Sequence, residues 1–154
     1  MTGGLFDDLR DLYQEVILDH NKRPRNFGRL EHPTHQANGH NPLCGDRVSV
    51  FVDLDGDSIR DISFQGSGCA ICTASASLMT QALKGATRRR AQFLFENVHH
   101  MLTDGKLPHP EVELGKLHVL EGVREFPIRV KCATLPWHTF HSALTRGSEI
   151  VSTE

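Results

Sequence analysis

The chain has 154 residues, of which 38% are hydrophobic and 23% charged, with 17 Lys and Arg against 19 Asp and Glu. This length fits one ordinary domain, and the charge balance excludes a general electrostatic attraction to nucleic acid. No apolar run approaches the roughly 20 residues of a membrane span, and the acidic N-terminal stretch lacks a secretory signal pattern. We therefore expect a single cytoplasmic domain over residues 1–154 that binds neither nucleic acid nor membrane.

A helix and a β-hairpin are the first predicted elements. Apolar residues recur at helical spacing through residues 5–17, and Pro24 ends that helix. Apolar residues then alternate with polar ones over residues 48–54 and again over 62–64. The "DGD" at 55–57 lies between these two runs and supplies the turn of the hairpin.

The second half of the chain is predicted to be mostly helical. Small and helix-forming residues predict helices over 70–84 and 88–101. Turn residues and charges dominate the next stretch, and "LHVLEGVREFPIRVKCATLPWHTFHSAL" predicts one or two further helices. We expect the "VSTE" tail at 151–154 to be frayed. The pattern indicates an α+β fold.

Three of the four cysteines are predicted to lie where one element gives way to the next. Cys44 precedes the first strand in "PLCGD", Cys69 lies between hairpin and helix, and Cys132 lies in "VKCATLPW". Asp46 follows Cys44 by two residues, and Gly45 between them lets the chain curl tightly. Zinc prefers four tetrahedral ligands of these types, so the four side chains are candidate metal ligands.

Cys69 and Cys72 are three residues apart, and this spacing alone has several interpretations. It is typical of a redox C-x-x-C pair, of half a zinc site, or of one ligand beside an unrelated cysteine. A helix starting near Ala70 directs the two side chains differently, which favours Cys69 alone as the ligand.

Several segments of the chain, including those that contain Cys44, Cys69 and Cys132, resemble the signature segments of U-type iron–sulfur cluster assembly proteins, the NifU N-terminal and IscU-like family. The resemblance implies a small antiparallel sheet of about three strands packed against about five helices. The segments are "LYQEVILDHNKRPRNFG" (12–28), "NPLCGD" (41–46), "GSGCAI" (66–71), "ASAS" (74–77) and "FPIRVKCATLPW" (126–137).

Two features resemble the SufU-like, zinc-dependent sulfur-transfer branch of this family. Lys131 stands where IscU-like scaffolds carry a His, and the long interval before Cys132 accommodates an insertion, roughly 102–125. The resemblance implies that Cys44 accepts sulfur from a pyridoxal-phosphate cysteine desulfurase of the SufS type. It implies zinc as the cofactor and a sulfur carrier rather than a stand-alone enzyme. The implied ligands are Cys44, Asp46, Cys69 and Cys132, whereas Ser is common in the family where Cys72 stands.

Other hypotheses fit the same residues. The thiols suit iron, so a [2Fe–2S] cluster scaffold is the alternative, with apo iron–sulfur proteins or another scaffold as partners. A structural zinc module and a C-x-x-C oxidoreductase are further alternatives. Arg129 and Lys131 are candidates to offset the negative charge of the ligands, and Arg129 is also a candidate to orient Asp46.

Two more features carry specific expectations. His99, His138 and His141 are interpreted as structural, and His40 is a better candidate for a supporting position near Cys44. Pro136 either kinks a helix near Cys132 or opens a new helix.

Overall fold

The computed structural model describes residues 14–146 and 150–152. Within these described residues, four strands form one sheet in the order β3-β2-β1-β4: β1 (His35–Asn41), β2 (Asp46–Asp55), β3 (Ser58–Ser67) and β4 (Ile150–Ser152). The helices are α1, described over 14–22, then α2 (Ala70–Leu83), α3 (Arg88–Thr103), the 3-10 segment (Gly115–Glu125) and α4 (Pro127–Arg146). The expected antiparallel sheet of about three strands, here β1 to β3, with about five helices is confirmed, and β4 adds a short parallel strand at its edge. No helix of the described residues is long and apolar enough to cross a membrane.

The predicted hairpin is present as β2 and β3. The two strands pair antiparallel from Asp55 opposite Ser58 to Arg47 opposite Ser67. Side chains at alternate positions of β2, such as Val48 and Val50, are buried in the core, which is why the alternation was visible in the sequence.

β1 was not predicted from the sequence, because its residues "HQANGHN" have low strand propensity. It pairs antiparallel with β2 over its whole length and has small residues facing the core, including Ala37 and Gly39. A Cβ on Gly39 would collide with the side chain of Thr139 in α4. The helix therefore lies close against β1, and small residues are required there.

The C-terminal tail is ordered against the sheet at residues 150–152. These residues form β4, which pairs parallel with β1 and places Ile150 opposite Asn38. The expectation of a frayed tail is wrong for residues 151 and 152, while 153 and 154 lie outside the described residues. Most of the predicted first helix, residues 5–13, also lies outside them.

The last helix, α4, runs across the buried face of the sheet and contacts β1, β2, α2 and α3. Trp137 and Phe140 in its middle are each 1% exposed. Pro136 lies inside this single helix, so the interpretation that it opens a new helix is wrong. A proline there removes the amide that would bond the carbonyl of Cys132.

Residues 102–125 contain the end of α3, a connection and the 3-10 segment. Leu117, Leu120 and Val123 of that segment are buried in the core. The segment leads directly into Phe126 and α4, so its packing helps to fix where the helix that contains Cys132 begins.

Candidate metal centre

Cys44 lies in the short loop that joins β1 to β2. Asn41 and Asp46 are the last pair of the β1–β2 ladder, so four residues, 42–45, close the hairpin. The Gly45 amide donates to the Asn41 carbonyl oxygen at 2.8 Å, and Gly45 has a left-handed φ of +74°. Glycine adopts that conformation without strain. The tight loop leaves the Cys44 side chain exposed.

Asp46 is the first residue of β2 and is 1% exposed. One carboxylate oxygen, Oδ1, accepts the Cys69 amide at 2.9 Å, and Oδ2 lies 3.7 Å from the Cys69 Sγ. A Cβ on Gly68 would lie 2.7 Å from Oδ1, so only glycine leaves the carboxylate its present position. Asp46 is therefore held in place by the chain that leads into α2.

Cys69 is the N-cap residue of α2, with extended backbone angles and its Sγ 3.4 Å from the Cys72 amide nitrogen that donates to it. The amides and the dipole at a helix N-terminus favour a negatively charged sulfur. The predicted junction between hairpin and helix thus places a thiol at the N-terminus of α2.

Cys132 lies in the second turn of α4 and is 2% exposed. Its thiol is 3.5 Å from the Cys44 Sγ and 3.6 Å from the carbonyl oxygen of Ile128. Burial raises the pKa of the Cys132 thiol above its ordinary value, and hydrogen bonds to Asp46 and Cys44 add to the effect. Without a cation this thiol retains its proton, so cation binding at the site would release protons.

Cys44, Asp46 and Cys132 each offer a ligand atom, and these atoms lie within 4.8 Å of one another. Cys69 falls outside that three-residue group but contacts Asp46, as described above. Two sulfurs bound to one tetrahedral zinc at about 2.3 Å would lie about 3.8 Å apart. The 3.5 Å between Cys44 and Cys132 is close to that spacing. The donor set therefore fits a thiolate-preferring ion such as zinc or iron.

A cavity of about 480 Å³ opens above the thiols. Its walls are Cys44, Cys69 and Cys132 together with residues 125–129, and most of the lining is apolar. Phe126, Ile128 and nearby Leu43 are among the exposed large hydrophobic residues of the described chain. The thiols thus lie at the floor of an apolar, open depression.

Cys72 does not join this group. It is 3% exposed and its side chain belongs to the hydrophobic core. Burial raises the pKa of the Cys72 thiol well above its ordinary value, and the nearby negative charge of Asp46 raises it further. A neutral, buried thiol is a poor nucleophile.

The supporting candidates lie in different places. Arg129 lines the cavity but forms no ion pair with Asp46 in the described part of the chain. Lys131 is half-buried next to Cys132. His40 lines a different cavity together with Arg47, away from the thiols.

The histidines interpreted as structural form an aromatic cluster between α3 and α4. His141 stacks on Phe95 at 4.5 Å, and the His99 and His138 rings are 5.6 Å apart. Burial lowers the pKa of His138, which keeps the ring neutral within this packing.

Asn41 is a further residue of this site that was not predicted from the sequence. Its Oδ1 accepts the Leu43 amide at 3.1 Å, and the residue is 0% exposed. The available signal was the "NP" three residues before Cys44, since asparagine before proline favours a turn.

Comparison with known proteins is consistent with this site. The chain is 41% identical to the zinc-dependent sulfurtransferase SufU of Bacillus subtilis (strain 168) over 139 residues, which is 90% of this chain and 93% of that protein. It is 40% identical to the iron–sulfur cluster assembly scaffold protein IscU of Streptococcus pyogenes serotype M1, covering 91% and 87% of the two chains.

A solved structure from Fervidobacterium islandicum AW-1, described as an iron–sulfur cluster assembly scaffold protein for the SUF system, has a TM-score of 0.81. That protein is 34% identical, and the match covers 88% of this chain and 98% of that one. Residues 12–133 match the family described as NifU-like N terminal domain. The chain therefore belongs to the NifU-like N-terminal domain family.

Proposed function

We propose that this protein acts in iron–sulfur cluster assembly as a zinc-dependent carrier that accepts persulfide sulfur on Cys44. The donor is a pyridoxal-phosphate cysteine desulfurase of the SufS type, and the setting is a reducing cytoplasm. The observation that carries the proposal is an exposed thiol, Cys44, in contact with the buried thiol of Cys132 at the floor of an open depression. An accepting thiol must be reachable by the donor protein, and Cys44 is.

Cys44, Asp46, Cys69 and Cys132 are the residues that would hold the zinc. Bound zinc keeps its cysteine ligands deprotonated at neutral pH, whereas a free cysteine with a pKa of about 8.5 is mostly protonated. The buried Asp46 and Cys132 and the helix-capping Cys69 keep their positions by contacts within the fold.

The transfer step needs no redox partner. The Cys44 thiolate attacks the outer sulfur of the donor's persulfide, forming a bond between Cys44 Sγ and that sulfur. The sulfur–sulfur bond of the donor breaks, and the donor cysteine leaves as a thiolate. Charge and oxidation state balance, and the outer sulfur has moved from one cysteine to another.

The apolar walls of the depression assist this step. Phe126 and Ile128 are exposed on the rim and offer a surface that a docking protein would cover. Such docking would exclude water from around Cys44, which strengthens polar interactions at the reacting sulfurs. We also propose that residues 102–125 are the insertion that distinguishes this branch, since they lead into that rim.

The experiment compares Cys44→Ala with Cys72→Ala as a matched control, since Cys72 is a cysteine outside the ligand group. We expect Cys44→Ala to abolish stimulation of the desulfurase. We also expect it to abolish the mass increase of one sulfur atom on the peptide that contains residue 44. We expect Cys72→Ala to retain both. A Cys44→Ala protein that stimulated the desulfurase as well as wild type would refute the assigned role.

A scaffold for a [2Fe–2S] cluster is the second candidate, because the same thiols suit iron and the Streptococcus pyogenes relative is named a scaffold. The purified protein distinguishes the two functions. Colourless protein with one tightly bound zinc supports the sulfur carrier, whereas brown protein that passes a cluster to an apo-protein supports the scaffold.

A further inference from the structure

One residue closes the loop that carries Cys44. Asn41 ends β1, and its carbonyl oxygen accepts the Gly45 amide at 2.8 Å while its Oδ1 accepts the Leu43 amide at 3.1 Å. We propose that Asn41 is a positioning residue that fixes the Cys44 thiol over the metal centre. Its role in sulfur transfer rests on the proposed function, whereas its role in metal affinity does not.

The side-chain bond holds the peptide between Pro42 and Leu43, one residue before Cys44. A hairpin loop leaves the Leu43 amide without a ladder partner, and Oδ1 supplies one in the way that asparagine does in turns. Without that acceptor, the peptide between Pro42 and Leu43 loses its restraint, and the loop that carries Cys44 can change conformation. Such a change would move the Cys44 Sγ away from the Cys132 Sγ, which is now 3.5 Å distant.

The other end of the same side chain has no partner. Asn41 is 0% exposed, and its Nδ2 forms no hydrogen bond in the described part of the chain. A buried amide without an acceptor is destabilising, and an apolar residue in its place would avoid that penalty. The Asn41 side chain thus makes one hydrogen bond that shapes the loop and leaves its other group, Nδ2, as an unsatisfied donor. Its replacement should therefore disturb the site more than the fold.

Aspartate would be a poor substitute, although it offers the same acceptor. Asn41 is paired in the ladder with Asp46, and both are buried. A second carboxylate there would oppose the first. Asparagine provides the acceptor without the charge.

The test uses three variants. Asn41→Ala removes the acceptor, and Asn41→Ser restores an oxygen that can bond the amide two residues on. Leu43→Ala is the matched control, because it changes an exposed loop side chain and leaves the Leu43 amide in place. Three quantities are measured: the zinc dissociation constant by chelator competition, the desulfurase kcat and KM with this protein as acceptor, and the melting temperature without zinc.

We expect Asn41→Ala to raise the zinc dissociation constant by up to about tenfold, the effect expected for losing Cys44 itself, and to lower kcat by at least about tenfold. KM should change by less than about threefold, because the rim that meets the donor is unchanged. The zinc-free melting temperature should shift by less than about 4 °C, because the lost bond and the removed amide offset each other. Asn41→Ser should recover most of the affinity, and Leu43→Ala should keep it within about twofold.

An Asn41→Ala protein with wild-type zinc affinity and kcat would overturn the proposal, whatever its melting temperature. A folded Asn41→Ser protein as defective as Asn41→Ala would also overturn it. If Asn41→Ala does not fold, hydrogen exchange of the zinc-free wild-type protein tests whether the bond to the Leu43 amide exists. An amide in that bond must exchange slowly. Exchange of that amide at the unprotected rate would refute the bond. If the wild-type protein accepts no sulfur, the proposed function fails, and the zinc affinities still test Asn41.

Discussion

The two halves of the candidate centre are built differently. Cys44 lies at the tip of a four-residue loop and is exposed. Asp46 and Cys132 lie within a strand and a helix, at 1% and 2% exposure, and Cys69 caps α2. One half is therefore reachable and held by few bonds, while the other is enclosed by the core.

This difference separates retention from reaction. A ligand inside packed structure cannot leave a bound ion without disturbing the core, because protein interiors are close-packed. A ligand on a short loop can move by rotation of a few peptides. The enclosed half is suited to keeping the ion, and the exposed half is suited to meeting another protein.

Removal of zinc is the broadest way to probe the two halves. Binding of an ion to the folded chain alone adds to stability by about 4 kcal/mol when the free ion is at about 1,000 times its dissociation constant. For a domain of this size, a strong chelator should lower the melting temperature by roughly 10 °C. Hydrogen exchange should quicken at Leu43 and Gly45 more than in α4. An equal increase of the exchange rate in α4 would contradict the difference between the exposed and the enclosed half. A Cys132→Ala protein, which should hold little zinc, is the control, because the chelator should change its exchange rates little.

Single-ligand variants compare the halves directly. We expect Cys132→Ala to weaken zinc binding by more than about 100-fold, which exceeds the usual effect of changes outside the ligand set. Cys44→Ala should weaken it by only about tenfold, because water can reach the exposed position and complete four-coordination, as it does in catalytic zinc sites. Chelator competition at a fixed pH measures both constants. The reverse order of the two effects would show that the loop, and not the helix, retains the ion.

Gly68→Ala sharpens the comparison within the enclosed half. The new Cβ would lie 2.7 Å from Asp46 Oδ1 and would displace the carboxylate. We expect zinc affinity to fall by about tenfold, as when a ligand loses its orientation. Gly122→Ala is the matched control, since a Cβ there meets nothing within 4 Å and Gly122 does not have a positive φ. Equal affinities for the two alanine variants would mean that Asp46 tolerates displacement.

Much of this arrangement was predictable from local patterns. The alternation that begins at Val48 predicted the hairpin because one face of β2 is buried. The position of Cys69 before a run of small residues predicted its place at the start of α2. The structure brings Cys44, Asp46 and Cys132 together, with Cys69 outside that group of three, and the four-residue ligand set stays a prediction.

The rest depends on contacts between distant segments. β1 has a glycine at Gly39 because α4 packs closely on it at Thr139, and no local periodicity in the sequence indicates that contact. β4 pairs with β1 across more than half the chain. The role of Asn41 was also hidden, since it depends on which amides the loop leaves unpaired.

The smallest expected effect concerns the packing behind the enclosed half. His20 of α1 is 1% exposed, and its Nδ1 is 2.7 Å from the Ser77 hydroxyl of α2. That hydroxyl accepts the Arg25 amide, so its hydrogen is available to a neutral imidazole. Burial, with the positive charge of Arg25 next, lowers the pKa of His20.

A lowered pKa in the folded state means that the unfolded chain binds the proton more readily. The stability associated with His20 is therefore present above the unfolded pKa of about 6.5 and is lost as the pH falls below it. We expect this loss of stability to be less than about 1.4 kcal/mol per pH unit, and His20→Asn to reduce it.

Urea unfolding with chelator present, at about one pH unit on either side of that pKa, measures the loss without the pH dependence of zinc binding. His138, whose pKa is also lowered by burial, contributes equally to both proteins. Identical pH dependence of the two proteins would show that α1 packing on α2 is not sensitive to the charge of His20. Unchanged zinc affinity of His20→Asn at neutral pH would show that this packing stabilises the enclosed half without setting the geometry of its ligands.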